Sequence, residues 1–184
     1  MGVDAVTPDW MHTKHLGVDQ YLFGSVLMMM VSEVDGNRMM GRRSQEDNVA
    51  ELWEELKELH RSMSLNDGYS ELRLSMFSPS SAEQFPCLKG KAAEALALGR
   101  PLLKAFENRM DVANKHHRLV RLALQSSVEL EVILARTKDK FRLTGADAEQ
   151  FRSHCFRYAQ CVSALGTYYH GKVIWLFHFT AKMH

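Results

Sequence analysis

At 184 residues, 46% of them apolar, the chain has the size and composition of one ordinary globular domain, which excludes a disordered segment. Lys and Arg number 23 against 22 Asp and Glu, which excludes a global electrostatic attraction to nucleic acid or an acidic membrane and leaves only local contacts. Cys87, Cys155 and Cys161 have no C-x-x-C spacing, so a disulfide scaffold and a zinc knuckle are excluded, the compartment is reducing, and the three read as small core residues.

The first predicted helix runs from about Leu16 to Val34. Its apolar residues Leu16, Tyr21, Leu22, Phe23, Val26, Leu27, Met29, Met30 and Val34 cover most of its circumference, the pattern of a central helix. The run Tyr21 to Val31 is shorter than the roughly 20 residues a membrane span needs. No basic n-region precedes it, and Val6 stands where a myristoylation motif needs Ser or Thr, so nothing addresses the chain to a membrane.

Asp35-Gly36-Asn37 ends that helix, and Met39 to Arg43 form a basic loop. Ser44 with Asp47 three residues later resembles a capping box and starts a second helix, about Gln45 to Met63. Val49, Leu52, Trp53, Leu56 and Leu59 line one side of it, and Glu51, Glu54, Glu55 and Glu58 form a solvated face. Asn66-Asp67-Gly68 is a turn signal, and Glu71 to Met76 reads as a short strand or an extended connector.

A long loop spans Ser78 to Pro86. Helix formers return from Lys89, with Gly99-Arg100-Pro101 predicting a kink or two short helices. A long helix from about Lys115 to Thr137 carries Leu119, Val120, Ala123, Leu130, Val132, Ile133 and Leu134, and is expected to pack on the first. Thr144 caps a last helix whose Phe151, Cys155, Tyr158, Val162, Leu165 and Tyr169 form a seam for another helix. Val173 to Phe179 reads as a strand or a buried helical turn. The fold class is therefore mainly α: a single-domain bundle of four to five helices, with an N-terminal motif segment (1–15), a helical body (16–170) and a C-terminal segment (171–184).

The densest polar constellation is Asp9-x-x-His12-x-x-His15, with Lys14 and Asp19 close by. A metal site needs about three such ligands and a second layer of partners; the loose spacing favours a hydrogen-bonded Asp-His pair that fixes the approach to the first helix. Lys115, His116, His117, Arg118 and Arg121 make one basic stripe, and Lys138, Lys140 and Arg142 a second; both are candidates for phosphate contact. No exposed aromatics interleave with them in the sequence pattern.

No Gly-rich phosphate loop, G-x-S-x-G elbow or H-E-x-x-H helix is present, and Leu88-Lys89-Gly90-Lys91 lacks the frame of a Walker loop. Cys87, beside Pro86, has no partnered His that the sequence alone can supply. No catalytic residue, metal or cofactor is implied.

Asp9-Trp10-Met11-His12, followed by Leu16-Gly17-Val18 and a long apolar helix, resembles the [Cys/Asp]-x-x-His motif of eukaryotic cut-and-paste DDE/D transposases, those of the CACTA and related groups above all. Phe179-Thr180-Ala181-Lys182-Met183-His184 is similar to the Lys-x-His stretch by which such proteins re-enter their core. Phe85 to Glu94 resembles a segment of uncharacterised transposon-like reading frames of protists, dinoflagellates especially. In that family an RNase H-like core is interrupted by a large helical insertion. The resemblance implies that the chain is that insertion, with Asp9, His12, His15 and His184 as motif or structural residues. It also implies that the catalytic acids lie outside the chain, since a two-metal nuclease needs its carboxylates on adjacent core strands.

Two functions follow as expectations. One is a transposase-derived helical module without its own catalytic triad, contacting DNA or other copies of a transposase-like protein, nuclear if that role is retained. The other is a helical protein-interaction or structural protein without nucleic-acid contact, for which an exposed apolar patch at Met28, Met29 and Met30 is the expected feature.

Overall fold

The computed structural model describes residues 11–41, 43–66, 68–81, 83–138, 143 and 145–178, with side chains from Lys14 onward. Among these residues the protein is mainly α, with five α-helices and one two-stranded hairpin. The Asp9 and His184 motif positions, Lys140, Arg142, the Thr144 cap and the side chain of His12 lie outside the described residues.

A π-helical stretch, Met11–Val18, leads into α1, Asp19–Val31. Helix α1 is apolar nearly all round and is buried nearly all round, with Leu22, Phe23, Val26, Leu27, Met29, Met30 and Val31 in the core. It stops three residues before Val34, because Glu33–Val34 (β1) pairs antiparallel with Asn37–Arg38 (β2). Asp35 and Gly36 between them have φ of 51° and 74°, two successive left-handed residues of the kind a two-residue hairpin turn demands. The Asp-Gly-Asn signal is thus a hairpin turn and not a helix stop. Met29 and Met30 are buried and Met28 is half-buried against the core, so the expected exposed methionine patch does not form.

Helix α2, Gln45–Ser62, begins as its cap predicts, with Ser44 Oγ accepting a hydrogen bond from the Asp47 N–H at 3.0 Å. Val49, Leu52 and Leu56 enter the core, and Asn48 Nδ2 donates to the Val31 carbonyl at 2.9 Å, fixing α2 to the end of α1. Residues 71–73 form no strand; they run as a connector into a 3₁₀ turn, Leu74–Met76.

Helix α3, Ala92–Glu107, runs through Pro101 without a break, so of the two expected alternatives, a kink or two short helices, the second does not form. Proline removes one backbone hydrogen bond, but Ala97, Leu98, Pro101, Leu102, Ala105 and Phe106 are buried together, and that burial holds the helix continuous.

Helices α4, Lys115–Thr137, and α5, Gly145–His170, form an antiparallel pair. At one end Arg136 bonds Asp147 and Gln150; at the other His116 stacks on Tyr168. Helix α4 packs on α1 as expected, but its chief partner is α5. The reason is length: Tyr158, Cys161, Val162, Leu165 and Tyr169 give α5 a long buried seam that only a helix as long as α4 can cover. The last described segment, 173–178, is neither strand nor helix; Leu176 and Phe177 are buried, and the Phe177 N–H donates to Ser25 Oγ at 2.9 Å. Among the described residues no helix is long and apolar enough to cross a membrane.

Candidate functional site

Ionic groups are expensive to bury unless they are paired, and the approach to α1 buries two of them together, Lys14 and Asp19. Lys14 Nζ donates to Asp19 Oδ2 at 2.6 Å and to Ser127 Oγ at 2.9 Å, and stands 2.9 Å from Glu131 Oε1. Ser127 Oγ in turn donates to Asp19 Oδ1 at 2.9 Å. Lys14, Asp19 and Ser127 are each at least nine-tenths buried, and Glu131 is partly exposed. His15 lies beside them, its Nδ1 3.4 Å from Asp19 and its Nε2 3.6 Å from Glu131. Those distances allow ion pairing, but His15 Nδ1 is not aligned for a hydrogen bond.

Burial alone would push the Asp19 carboxyl up, yet Lys14 and His15 together hold it below its ordinary range. Tyr158 on α5 is buried near enough to feel the Asp19 charge; burial, reinforced by that charge, pushes its phenol well up, so it stays un-ionised. A Ser with its hydroxyl against a Lys and an Asp invites comparison with a nucleophile. The chemistry is unfavourable: a serine is activated by a neighbouring base, whereas Lys14 is held between two carboxylates and Asp19 is a weakened base. The Cys155 and Cys161 thiols are pushed up by burial, away from the reactive thiolate. The hydrogen bonds and ion pairs of the cluster tie the approach to α1 to α4.

Of the Asp9, His12 and His15 constellation, the structure places His15 in this cluster, and adds Lys14 and Asp19 from the same segment. Among the described residues no group of His, Cys, Asp and Glu is arranged to hold a metal.

The first basic stripe is divided. Lys115 is exposed. His117 turns inward: it is buried edge-to-face on Phe106, and its Nδ1 accepts the Asp111 N–H at 2.9 Å, so it cannot reach a phosphate. Burial lowers its pKa, with Asp111 opposing. His116 stacks on Tyr168 with ring centroids 3.5 Å apart, and burial and Lys115 lower its pKa. Arg118 donates to the carbonyls of Val112 and Ala113, and Arg121 Nη1 is 3.4 Å from Glu107 Oε1. Of the second stripe, Lys138 is exposed at the end of α4.

The outer face of α5 carries what those stripes lack. Phe156 is 65% exposed and shares a shallow recess with Arg152, Ser153, Arg157 and Gln160. Arg152 is paired with Glu149 one turn back. Among the described residues Arg157 has no ion pair in this recess, and it lies close enough to His154 to help burial lower that ring's pKa. Phe156 lies off the apolar seam of α5, and an aromatic off the seam is the signal that would have found it. Ser127 and Glu131 escaped for a different reason: their partners are more than a hundred residues away. A serine on the apolar face of α4, between Leu124 and Leu130, is nevertheless a buried polar group that requires a partner.

No family model, curated protein or solved structure matches the chain.

Proposed function

We propose that the chain is a helical DNA-contact module without a catalytic centre of its own, the role implied by its resemblance to a transposase insertion, and that the outer face of α5 makes the contact. The observation that carries this reading is Phe156, 65% exposed among Arg152, Arg157 and Gln160. Leaving a large aromatic in water is unfavourable without a partner, and a ring flanked by guanidinium groups suits an unpaired base on the ring and phosphates on the arginines. Lys138 adds an exposed cation at the end of α4 that meets the start of α5. The burial of Met29 and Met30 removes the feature that would have favoured a protein partner.

Fluorescence anisotropy with a labelled single-stranded oligonucleotide tests the proposal. Binding is expected at low salt and weakens as salt rises. Phe156→Ala weakens it by about fivefold to a hundredfold, the loss of one base stack. Arg157→Glu weakens it further and flattens the salt dependence, since each lost phosphate contact removes about 0.7 from the slope on a single strand. Unchanged anisotropy at low salt, or a Phe156→Ala variant that binds as wild type does, overturns the proposal. A concentration-dependent dimer abolished by Phe156→Ala, without oligonucleotide binding, assigns the same face to a protein contact instead.

A further inference from the structure

The buried cluster is not sealed. Lys14, Asp19, Ser127 and Glu131 form the inner end of a cleft of about 260 Å³ between α3 and α4. Its walls are mainly apolar, with Phe23, Leu96, Val128 and Val132 among them, and Arg100 stands exposed at its rim. A concave, mostly apolar site with a few convergent polar groups is the usual form of a small-ligand pocket.

The hydrogen-bond inventory of the floor decides what such a ligand presents. A lysine ammonium has three protons, and Lys14 has three acceptors within 2.9 Å, namely Asp19, Ser127 and Glu131. The Ser127 proton goes to Asp19 Oδ1. The donors of the floor are therefore spent, whereas Ser127 Oγ and the Asp19 carboxylate keep lone pairs. The floor also sets two carboxylates, Asp19 and Glu131, beside the Lys14 ammonium, with His15 3.4 Å from Asp19 and 3.6 Å from Glu131. The rim is the opposite: Arg100 brings a positive charge and, among the described residues, makes no ion pair.

From this polarity we infer that the cleft binds a small zwitterion whose ammonium and carboxylate lie at opposite ends of an apolar chain, the chemistry of an ω-amino acid. The ammonium donates to Asp19 and Ser127 at the floor, the methylene chain lies along Phe23, Val128 and Val132, and the carboxylate meets Arg100 at the rim. This site is separate from the α5 face, so its test does not depend on DNA binding.

The experiment is calorimetric titration of the full chain with 6-aminohexanoate, hexylamine and hexanoate. Saturable 1:1 binding of 6-aminohexanoate is expected, with hexanoate at least tenfold weaker and hexylamine several-fold weaker. Ala135→Trp, at an exposed position of the lining, fills the cleft and abolishes binding without touching the buried cluster. Arg100→Glu removes the advantage of 6-aminohexanoate over hexylamine while leaving hexylamine bound. Hexanoate binding as tightly as 6-aminohexanoate, heat absent with all three probes, or a folded Ala135→Trp variant that retains affinity overturns the inference.

Discussion

Lys14 is the residue on which the approach to α1 depends. Its single positive charge stands between Asp19 and Glu131 in a nearly dry environment. Truncating one partner of a buried ionic group costs about 3–5 kcal/mol because the remaining charges are stranded. Lys14→Met is expected to lose stability of that order in urea unfolding at neutral pH, and adding Asp19→Asn restores part of it; equal stability of Lys14→Met and wild type would refute the cluster. Acid gives a second reading. The Asp19 carboxyl is held below its ordinary value, about 3.9 in an unfolded chain, so its stabilisation is complete above that value. It is lost as pH falls through the lower value of the folded state. Asp19→Asn removes this titration, and its urea midpoint changes less than that of wild type below about pH 4; coincident acid limbs would show that other carboxylates govern acid unfolding. The local half of this cluster was legible, since Lys14, His15 and Asp19 stand within six residues of one another. Ser127 and Glu131 were not, because their place is set by the register of α4 against α1, which no short spacing encodes.

Elements with strong periodicity and caps come out of the sequence with little error. Helix α4 begins where Asn114 accepts the N–H groups of His116 and His117 and runs to Thr137, as its apolar spacing predicts. The hairpin was hidden because strands of two residues, Glu33–Val34 and Asn37–Arg38, are too short for any alternation to show. Segment 173–178 was ambiguous for a physical reason: it is held from outside, by burial of Leu176 and Phe177 and by Ser25, and not by a repeating pattern of its own. Its backbone carries strain, with Val173 and Phe177 both at φ of 60°, a region that bulky and β-branched residues avoid. Val173 is 80% exposed and gains little burial in return. Val173→Gly is therefore expected to stabilise the chain by about 1 kcal/mol, the strain released less the added flexibility of the unfolded chain. Chemical denaturation measures this, and a destabilised variant would mean that Val173 makes contacts worth more than its strain.

At the scale of the molecule, α1 is a post against which distant parts of the chain close. Ser127 on α4 reaches its first residue, Asp19; Asn48 on α2 bonds its last, Val31; and the C-terminal segment hangs on Ser25. Loop 85–88 completes the enclosure, with the Leu88 N–H donating to the Gln20 carbonyl at 2.9 Å. That approach is so close that a Cβ on Gly24 would stand 2.8 Å from the Cys87 nitrogen and 2.9 Å from both the Leu88 nitrogen and the Pro86 carbonyl carbon. These are backbone atoms, which cannot rotate aside as a side chain would, so one methyl group separates the loop from the helix. Alanine would be the better helix former at this position by about 1 kcal/mol if α1 were isolated. In the folded chain overpacking dominates, at about 1–3 kcal/mol, and Gly24→Ala is expected to lower the melting temperature by several degrees, about 2–4 °C per kcal/mol for a chain of this size. Amide exchange locates the effect: the Leu88 N–H loses protection in the variant while those of α5 keep theirs, because the loop and not the α4–α5 pair is displaced. A melting temperature that rises, as helix propensity alone predicts, would mean that loop 85–88 does not seat on α1 and that the post is open on that side.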